Sequence, residues 1–313
     1  MIAYVVKRIA ATVPVVFLVG FGVFILLRLT PGDPATILAG EAATPENIAH
    51  IRSALGLSEP LGTQFLLWLR NVSVGDLGQS YFYKASVSSL ILHRVEPTMA
   101  LSIATILVAV LIAVPLGVIA AWKQGGWLDR ALMTFSVLGF SVPVFVLGYL
   151  AIWLVSLKLH LLPVQGYVRI SDGVGQFLLH LALPSITLSI VYIALIARVT
   201  RASVQDVLAQ DHIRTARAKG LGEVRVLVFH ALSNAAVPIV TVIGIGIALL
   251  IGGVVVTESV FGIPGLGRLT VDAVLARDFP TVQGVILFFS MIYVLVNLLI
   301  DLSYVLLDPR IRY

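Results

Sequence analysis

At 313 residues, 59% hydrophobic and 12% charged, the chain carries about half the charge of an ordinary soluble domain, which averages about 25%. A mean hydropathy of +1.03 with long charge-free runs excludes a soluble domain and indicates a polytopic membrane protein. The net charge of +5 is not a nucleic-acid signal, and the absence of cysteine excludes both a disulfide framework and a thiolate metal site.

The first apolar run, Ile9–Leu27, follows the basic pair Lys7 and Arg8. It is longer than the usual signal-peptide core of about 7–15 residues. No small-x-small cleavage site precedes the turn at Pro31-Gly32-Asp33-Pro34, so an uncleaved anchor is expected. Residues 28–96 form a large loop. Thr44 and Pro45 suit the start of a helix whose Ile48, Ile51 and Leu55 share a face, and Gly56 suits its end. A second helix is expected from Pro60, with Leu61, Phe65, Trp68, Leu69 and Val72 at helical spacing, broken by Gly75-Asp76-Leu77-Gly78. This loop reads either as a lid on the bundle or the membrane interface, or as a platform for an external partner.

Five further runs are expected to cross the membrane: Pro97–Trp122, Ala131–Leu157, Gly173–Ala197, Pro238–Thr257 and Phe279–Ile300. None of the six contains Asp, Glu, Lys or Arg. Pro14, Pro115, Pro143 and Pro184 fall inside them, which membrane bundles tolerate where neighbours satisfy the freed carbonyls. His180 is the only histidine within these runs and reads as a packing residue rather than a proton relay.

Between the fourth and fifth spans lies a basic segment, Asp211–Pro238. Arg198–Ala209 is expected to prolong span four as a helix. Asp211 is placed as the cap of a short helix over His212–Lys219, stopped by Gly220. Ala216 and Gly220, four apart, are expected to leave a bare patch flanked by Arg214, Arg217 and Lys219. Thr215 and Ala218 complete the candidate docking set. A second helix is expected to carry Val224, Leu227, Val228 and Ala231 on one apolar face. A capped short helix with small residues, slung between two membrane helices, suits docking into a partner and transmitting its motion. The positive-inside rule alone would ask only for cations here.

Span five carries Gly244, Ala248 and Gly252 at four-residue spacing, a smooth stripe for helix packing within the chain, a subunit interface or a pore lining. The run Glu258–Arg268, with three glycines and a proline, is expected not to form a regular helix. It reads either as a gate at the outer mouth, using Glu258, Phe261 and Pro264, or as a surface hairpin. With the N-terminus inside, 12 of the 21 basic residues fall on the cytoplasmic side, including Arg310 and Arg312 of the tail, so both termini are expected there.

No intramembrane carboxylate is present to couple an ion, and neither H-E-x-x-H nor an intramembrane Asp pair is present to make an enzyme. The chain also lacks G-x-x-x-x-G-K-[ST], so nucleotide would have to be held by another chain. A secondary transporter therefore fits less well than a subunit that takes its energy from a partner.

At the basic segment the sequence resembles the permease subunits of ABC importers, whose cytoplasmic loop carries E-A-A-x-x-x-G. Ala216 and Gly220 match; Arg214 and Thr215 stand where Glu and the first Ala are usual. The stretch RTARAKGLGEVRVLVFHALSNAAVPIVT resembles the dipeptide/oligopeptide/nickel branch, as do LTPGDP at 29–34, GDLGQS at 75–80, ESVFGIPGLGRL at 258–269, RDFPTVQG at 277–284 and NLLIDLSYVLLDPRIR at 297–312. The resemblance implies an all-α, six-helix type I importer permease in a prokaryotic inner membrane. It implies a second homologous permease as heterodimer partner, two cytoplasmic ATPases holding ATP and Mg, and an extracytoplasmic solute-binding protein. It implies no cofactor on this chain and short peptides as cargo, with nickel or another small solute as the alternative. The expected layout is an anchor and outer loop over 1–95, a permease core over 96–305 with the coupling segment at 198–237, and a tail over 306–313.

Overall fold

The computed structural model describes residues 2–29, 33–40, 44–54 and 56–307. The turn at Pro31 and Gly32 and the basic tail at Arg310 and Arg312 lie outside them. The helices in chain order are α1 (Ile2–Leu29), α2 (Pro34–Ala39), α3 (Pro45–Ala54), α4 (Leu61–Ser73), α5 (Val87–Trp122), α6 (Trp127–Ser141) and α7 (Val144–Ala151). They continue as α8 (Val174–Leu208), α9 (Asp211–Ala218), α10 (Glu223–Arg225), α11 (Ala236–Val260), α12 (Leu266–Leu275) and α13 (Phe279–Leu307). Among the described residues there is no β-strand, only an isolated bridge between Gln79 and Ser86. Helix is the expected solution for so apolar a chain, because in hydrocarbon each backbone N–H and C=O needs a partner within its own segment.

The chain divides into two compact units. One holds Glu96–Arg268 and the residues from Leu295 onward; the other holds Ile2–Val95 and Leu269–Val294. In the first, α8 is the central pillar. Leu188, Tyr192, Ile196 and Ala197 bury one side of it against Leu101 and Ala109 of α5 and Leu250 and Val254 of α11. Small residues set the spacing. A Cβ on Gly253 would lie 3.1 Å from both Leu188 Cδ1 and Tyr192 Oη, and one on Gly139 of α6 would lie 3.1 Å from Ala194 Cβ. At 35 residues α8 is about 52 Å long, more than the roughly 30 Å of hydrocarbon, so its last turns extend beyond a span.

Among the described residues four helices are long and apolar enough to cross a membrane: α5, α8, α11 and Phe279–Ser303 of α13. Ala10–Ile25 within α1 is a shorter apolar helix. The expected third span, Ala131–Leu157, is not one straight helix: α6 and Val144–Lys158 meet at a bend of 101°. Pro143 is the cause. Val142 before it adopts an extended conformation (φ −95°, ψ 123°), and Pro143 opens α7 from the N-cap position instead of sitting inside a helix. Pro14, Pro115 and Pro184, by contrast, remain within their helices. Beyond α7 the chain winds as a π-helix over Ile152–Lys158.

In the second unit, the helices expected from Pro45 and Pro60 start where expected. Asn47 N donates to Thr44 Oγ1 at 3.3 Å ahead of α3, and Pro60 opens α4. Phe65 of α4 meets Phe17, Phe21 and Phe24 of α1 edge to face, with centroids 5.8, 5.4 and 5.1 Å apart. A further tie is buried: Asp278 accepts from Ser80 Oγ at 2.5 Å, Tyr81 N at 3.0 Å and Thr281 Oγ1 at 2.7 Å, joining the 75–86 loop to the start of α13.

Candidate functional site

The helix α9 hangs between the end of α8 and the start of α10. Gln210, extended at ψ 153°, is the N-cap and offers no side-chain cap; Asp211 is the first helical residue. The expected capping by Asp211 is therefore corrected. Its carboxylate instead accepts from Arg214 Nη1 at 3.2 Å, a largely solvated pair worth little, and it still suits the positive end of the helix. Thr215 Oγ1 bonds back to Asp211 O at 3.0 Å.

The stop at Gly220 matches the expectation and has a clear mechanism. Gly220 sits at φ +77°, its N–H reaches Arg217 O at 2.9 Å, and Leu221 N reaches Ala216 O at 3.3 Å. Those two bonds are a Schellman closure, which a β-carbon at the left-handed position would strain.

Ile213 and Ala216 are buried, packed with Val204 and Val207 of α8 and with Val226, Leu227, Ala231 and Ala235. Ala216 thus belongs to the inner face, which corrects the expected bare patch. Two residues four apart share a face only while both are helical, and Gly220 lies past the helix end. Asp211, His212, Arg214, Thr215, Arg217, Ala218, Lys219 and Gly220 are exposed. Arg217 is not a free cation: its Nε and Nη2 donate to Glu223 Oε1 and Oε2 at 2.9 and 3.2 Å. Lys219 has no ion-pair partner among the described residues.

The following apolar face is also shifted. Val224 is 76% exposed and Val228 44%, while Val226, Leu227 and Ala231 are buried. The cause is a π-helix over Val226–Leu232, whose wider turn rotates each later side chain away from the 3.6-residue register. At the root of this assembly Arg201 of α8 forms a two-pronged ion pair with buried Asp129 of α6, its Nη2 2.8 Å from Asp129 Oδ2. Gly125 N also donates to that carboxylate at 2.9 Å.

The second candidate set falls apart into different roles. Gly244 packs so closely that a Cβ would lie 2.1 Å from Ile300 Cδ1, Ala248 is half-buried, and Gly252 has no neighbour within 4 Å of an added Cβ. The stripe is therefore not one contact face. The face packed on α8 uses Gly246 and Gly253 instead, seven residues apart.

Helix α11 persists through Val260, against the expectation of no regular helix from Glu258 onward, and Glu258 lies in its last turn. Glu258 is fully buried. It accepts from Thr98 Oγ1 at 2.6 Å and from Arg268 N at 2.9 Å. Thr98 Oγ1 in turn accepts from Leu266 N at 2.8 Å. The carboxylate thus closes the N-terminus of α12 and ties it to α5. Gly265 makes room: a Cβ there would lie 2.1 Å from Glu258 Oε1. Phe261 is buried and its carbonyl accepts from Gly166 N at 2.9 Å, while Gln165 Nε2 reaches Val260 O at 3.0 Å; Pro264 is exposed. Thr98, Gln165 and Glu223 were invisible as site residues in the sequence, and only the E-x-x-x-x-x-x-G spacing from Glu258 to Gly265 hints at the clasp.

Known proteins resemble the chain along its whole length. The family described as the binding-protein-dependent transport system inner membrane component matches residues 113–313, and its N-terminal companion matches residues 1–102. A probable peptide ABC transporter permease of Sinorhizobium fredii is 52% identical over 310 residues, 99% of each chain. A putative peptide transport system permease of Brucella abortus and the glutathione transport system permease of Escherichia coli K12 are each 42% identical over 313 residues, all of each chain. Among solved structures, the inward-facing MetNI methionine ABC transporter superposes with a TM-score of 0.58 at 17% identity, over 70% of this chain and 96% of that one. With an all-helical fold, several membrane-length apolar helices and both family models matched, the chain belongs to the binding-protein-dependent transport system inner membrane components: it is a multi-pass permease subunit of an ABC importer, a transport component that works with ATPase and solute-binding partners.

Proposed function

We propose that this permease passes short peptides, delivered by a solute-binding protein, across a prokaryotic inner membrane by alternating access. The observation that carries the substrate is the full-length similarity to relatives named for peptide and glutathione transport, one of them 52% identical. In this reading α1, α5, the bent α6–α7 pair, α8, α11 and α13 are the six spans, and both termini are cytoplasmic. Residues 1–95 are the anchor and outer loop, 96–305 the core, and 306–313 the tail. A second homologous permease completes the pathway, and two ATPases hold ATP and Mg; this chain catalyses nothing itself.

Energy enters at α9. Its outer face presents Asp211, Arg214, Thr215, Arg217, Ala218, Lys219 and Gly220 to an ATPase cleft, and Ile213 and Ala216 fix it to the bundle so that a push on α9 moves α8 and α11. The support is its double character, exposed and cationic outside, fully packed inside. Gly252 on the open side of α11 lines the pathway, and the turn through Phe261 and Pro264, held by Glu258, shapes its outer mouth.

The test is uptake of labelled di- and tripeptides into vesicles holding the reconstituted complex, with binding protein outside and ATP inside. ATP-dependent peptide accumulation is expected. Accumulation of nickel but no peptide overturns the substrate assignment.

A further inference from the structure

The second unit holds a cavity of about 520 Å³ that coupling leaves unused. Sites for small organic ligands run from about 300 to 1,000 Å³. Arg28, Asn71, Asp76, Tyr81 and Gln283 lie in its lining, and Trp68 and Leu67 add apolar surface.

The polar groups there are incompletely used. The Arg28 guanidinium rests 3.4 Å over the Phe24 ring, donates from Nε and Nη2 to Gln64 Oε1 at 3.1 and 2.9 Å, and donates from Nη1 to Phe24 O at 3.3 Å. Both acceptors, Gln64 Oε1 and Phe24 O, are neutral, and no carboxylate lies within 4 Å of it among the described residues. A guanidinium has five N–H groups, so two find no acceptor among the described residues. A guanidinium stays cationic at neutral pH. Gln64 is spent in holding it, since its Nε2 is engaged by Leu57 O and Glu59 O at 3.2 and 2.7 Å. Burial, then the Asp278 charge, pushes the Tyr81 phenol above its ordinary value, so it stays a neutral donor. The Tyr81 hydroxyl and the side-chain amides of Asn71 and Gln283 make no hydrogen bond among the described residues. Asp76, exposed, uses one carboxylate oxygen on Gly78 N at 2.9 Å and keeps the other.

A half-buried cation with only neutral partners is completed by an anion. A ring of free amides matches peptide groups, and a free carboxylate matches an ammonium. We propose that this cavity binds a short peptide, with Arg28 and Tyr81 taking the C-terminal carboxylate, Asn71 and Gln283 the peptide groups, and Asp76 the α-ammonium. The assignment rests on the peptide reading given above and adds a peptide site on the permease itself.

The test is equilibrium binding of labelled trialanine to the permease–ATPase complex in phosphatidylcholine nanodiscs, without binding protein. Saturable binding is expected. Trialanine amide, lacking the carboxylate, and the Arg28→Gln variant should each bind at least about tenfold more weakly. Asn71→Trp, an exposed substitution that fills the cavity, should abolish binding. If Arg28→Gln fails to assemble, the amide comparison and Asn71→Trp still decide. No saturable binding, equal binding of acid and amide, or unchanged binding by Asn71→Trp overturns the proposal. Equal displacement by inorganic phosphate also overturns it, by making the cavity a general anion site. Peptide uptake by the complete transporter with no binding here removes this site alone, whereas loss of both removes the peptide reading.

Discussion

Glu258 offers the sharpest test of the structural reading, because Gly265 sits against it. Replacing Glu258 with Ala removes the acceptor for Thr98 Oγ1 and Arg268 N, two hydrogen bonds to a buried carboxylate. Bonds to charged groups contribute roughly 1.5–3 kcal/mol each, so a loss of about 3–4 kcal/mol is expected after relaxation. Gly265→Ala places a Cβ 2.1 Å from Glu258 Oε1, about 1.3 Å inside ordinary contact, and must displace the same carboxylate. Its cost should be similar, about 3 kcal/mol. In the Glu258→Ala background that clash is gone, so the double variant should cost no more than about 4 kcal/mol, giving a favourable coupling of roughly 2–3 kcal/mol. Thermal unfolding of the purified permease reads this. For 313 residues at about 2.1 cal/mol/K each, 3 kcal/mol corresponds to a midpoint shift of about 5 °C. Strict additivity of the two substitutions would refute the clasp, as would a Glu258→Ala variant that melts with the wild type.

Three further outcomes follow from the same packing. Ile213→Ala, at a fully buried position, should lower stability by about 2–5 kcal/mol and reduce recovery of the ATPases with the permease, measured by co-purification. Asp129→Asn should cost about 3 kcal/mol by leaving Arg201 without its counter-charge, and an unchanged melting midpoint would show that the pair adds nothing. Gly220→Val should strain the left-handed position by at least about 1–2 kcal/mol and uncouple ATP hydrolysis from peptide uptake; normal uptake per ATP would count against α9 as the input.

What the sequence made legible is what local chemistry controls. Thr44 and Pro45 announce α3, the charge-free runs announce the apolar helices, and Gly220 announces the end of α9, since each acts within a turn of itself. Three features escaped because their causes are not local. Val226 replaced Val224 on the buried face because a π-turn alters the helical period. Ala216 turned inward because Ile213 and the Val204–Val207 face of α8 claim that side of α9. The clasp between Glu258 and Thr98 escaped because the two lie 160 positions apart and nothing in the sequence joins them. The bend at Pro143 was in principle readable; Pro115 and Pro184 stay within their helices, so proline identity alone does not decide a break.

The central claim is that ATP-driven motion enters through the outer face of α9. The most direct measurement is the ratio of peptide imported to ATP hydrolysed in vesicles carrying the whole complex with Arg214→Glu and Lys219→Glu. These exposed cations can be reversed without touching the Ile213–Ala216 face or the Arg217–Glu223 pair. The account predicts a permease of wild-type stability whose ratio falls at least about tenfold, because the charge that α9 offers to the ATPase is reversed in sign. A ratio equal to wild type would contradict it.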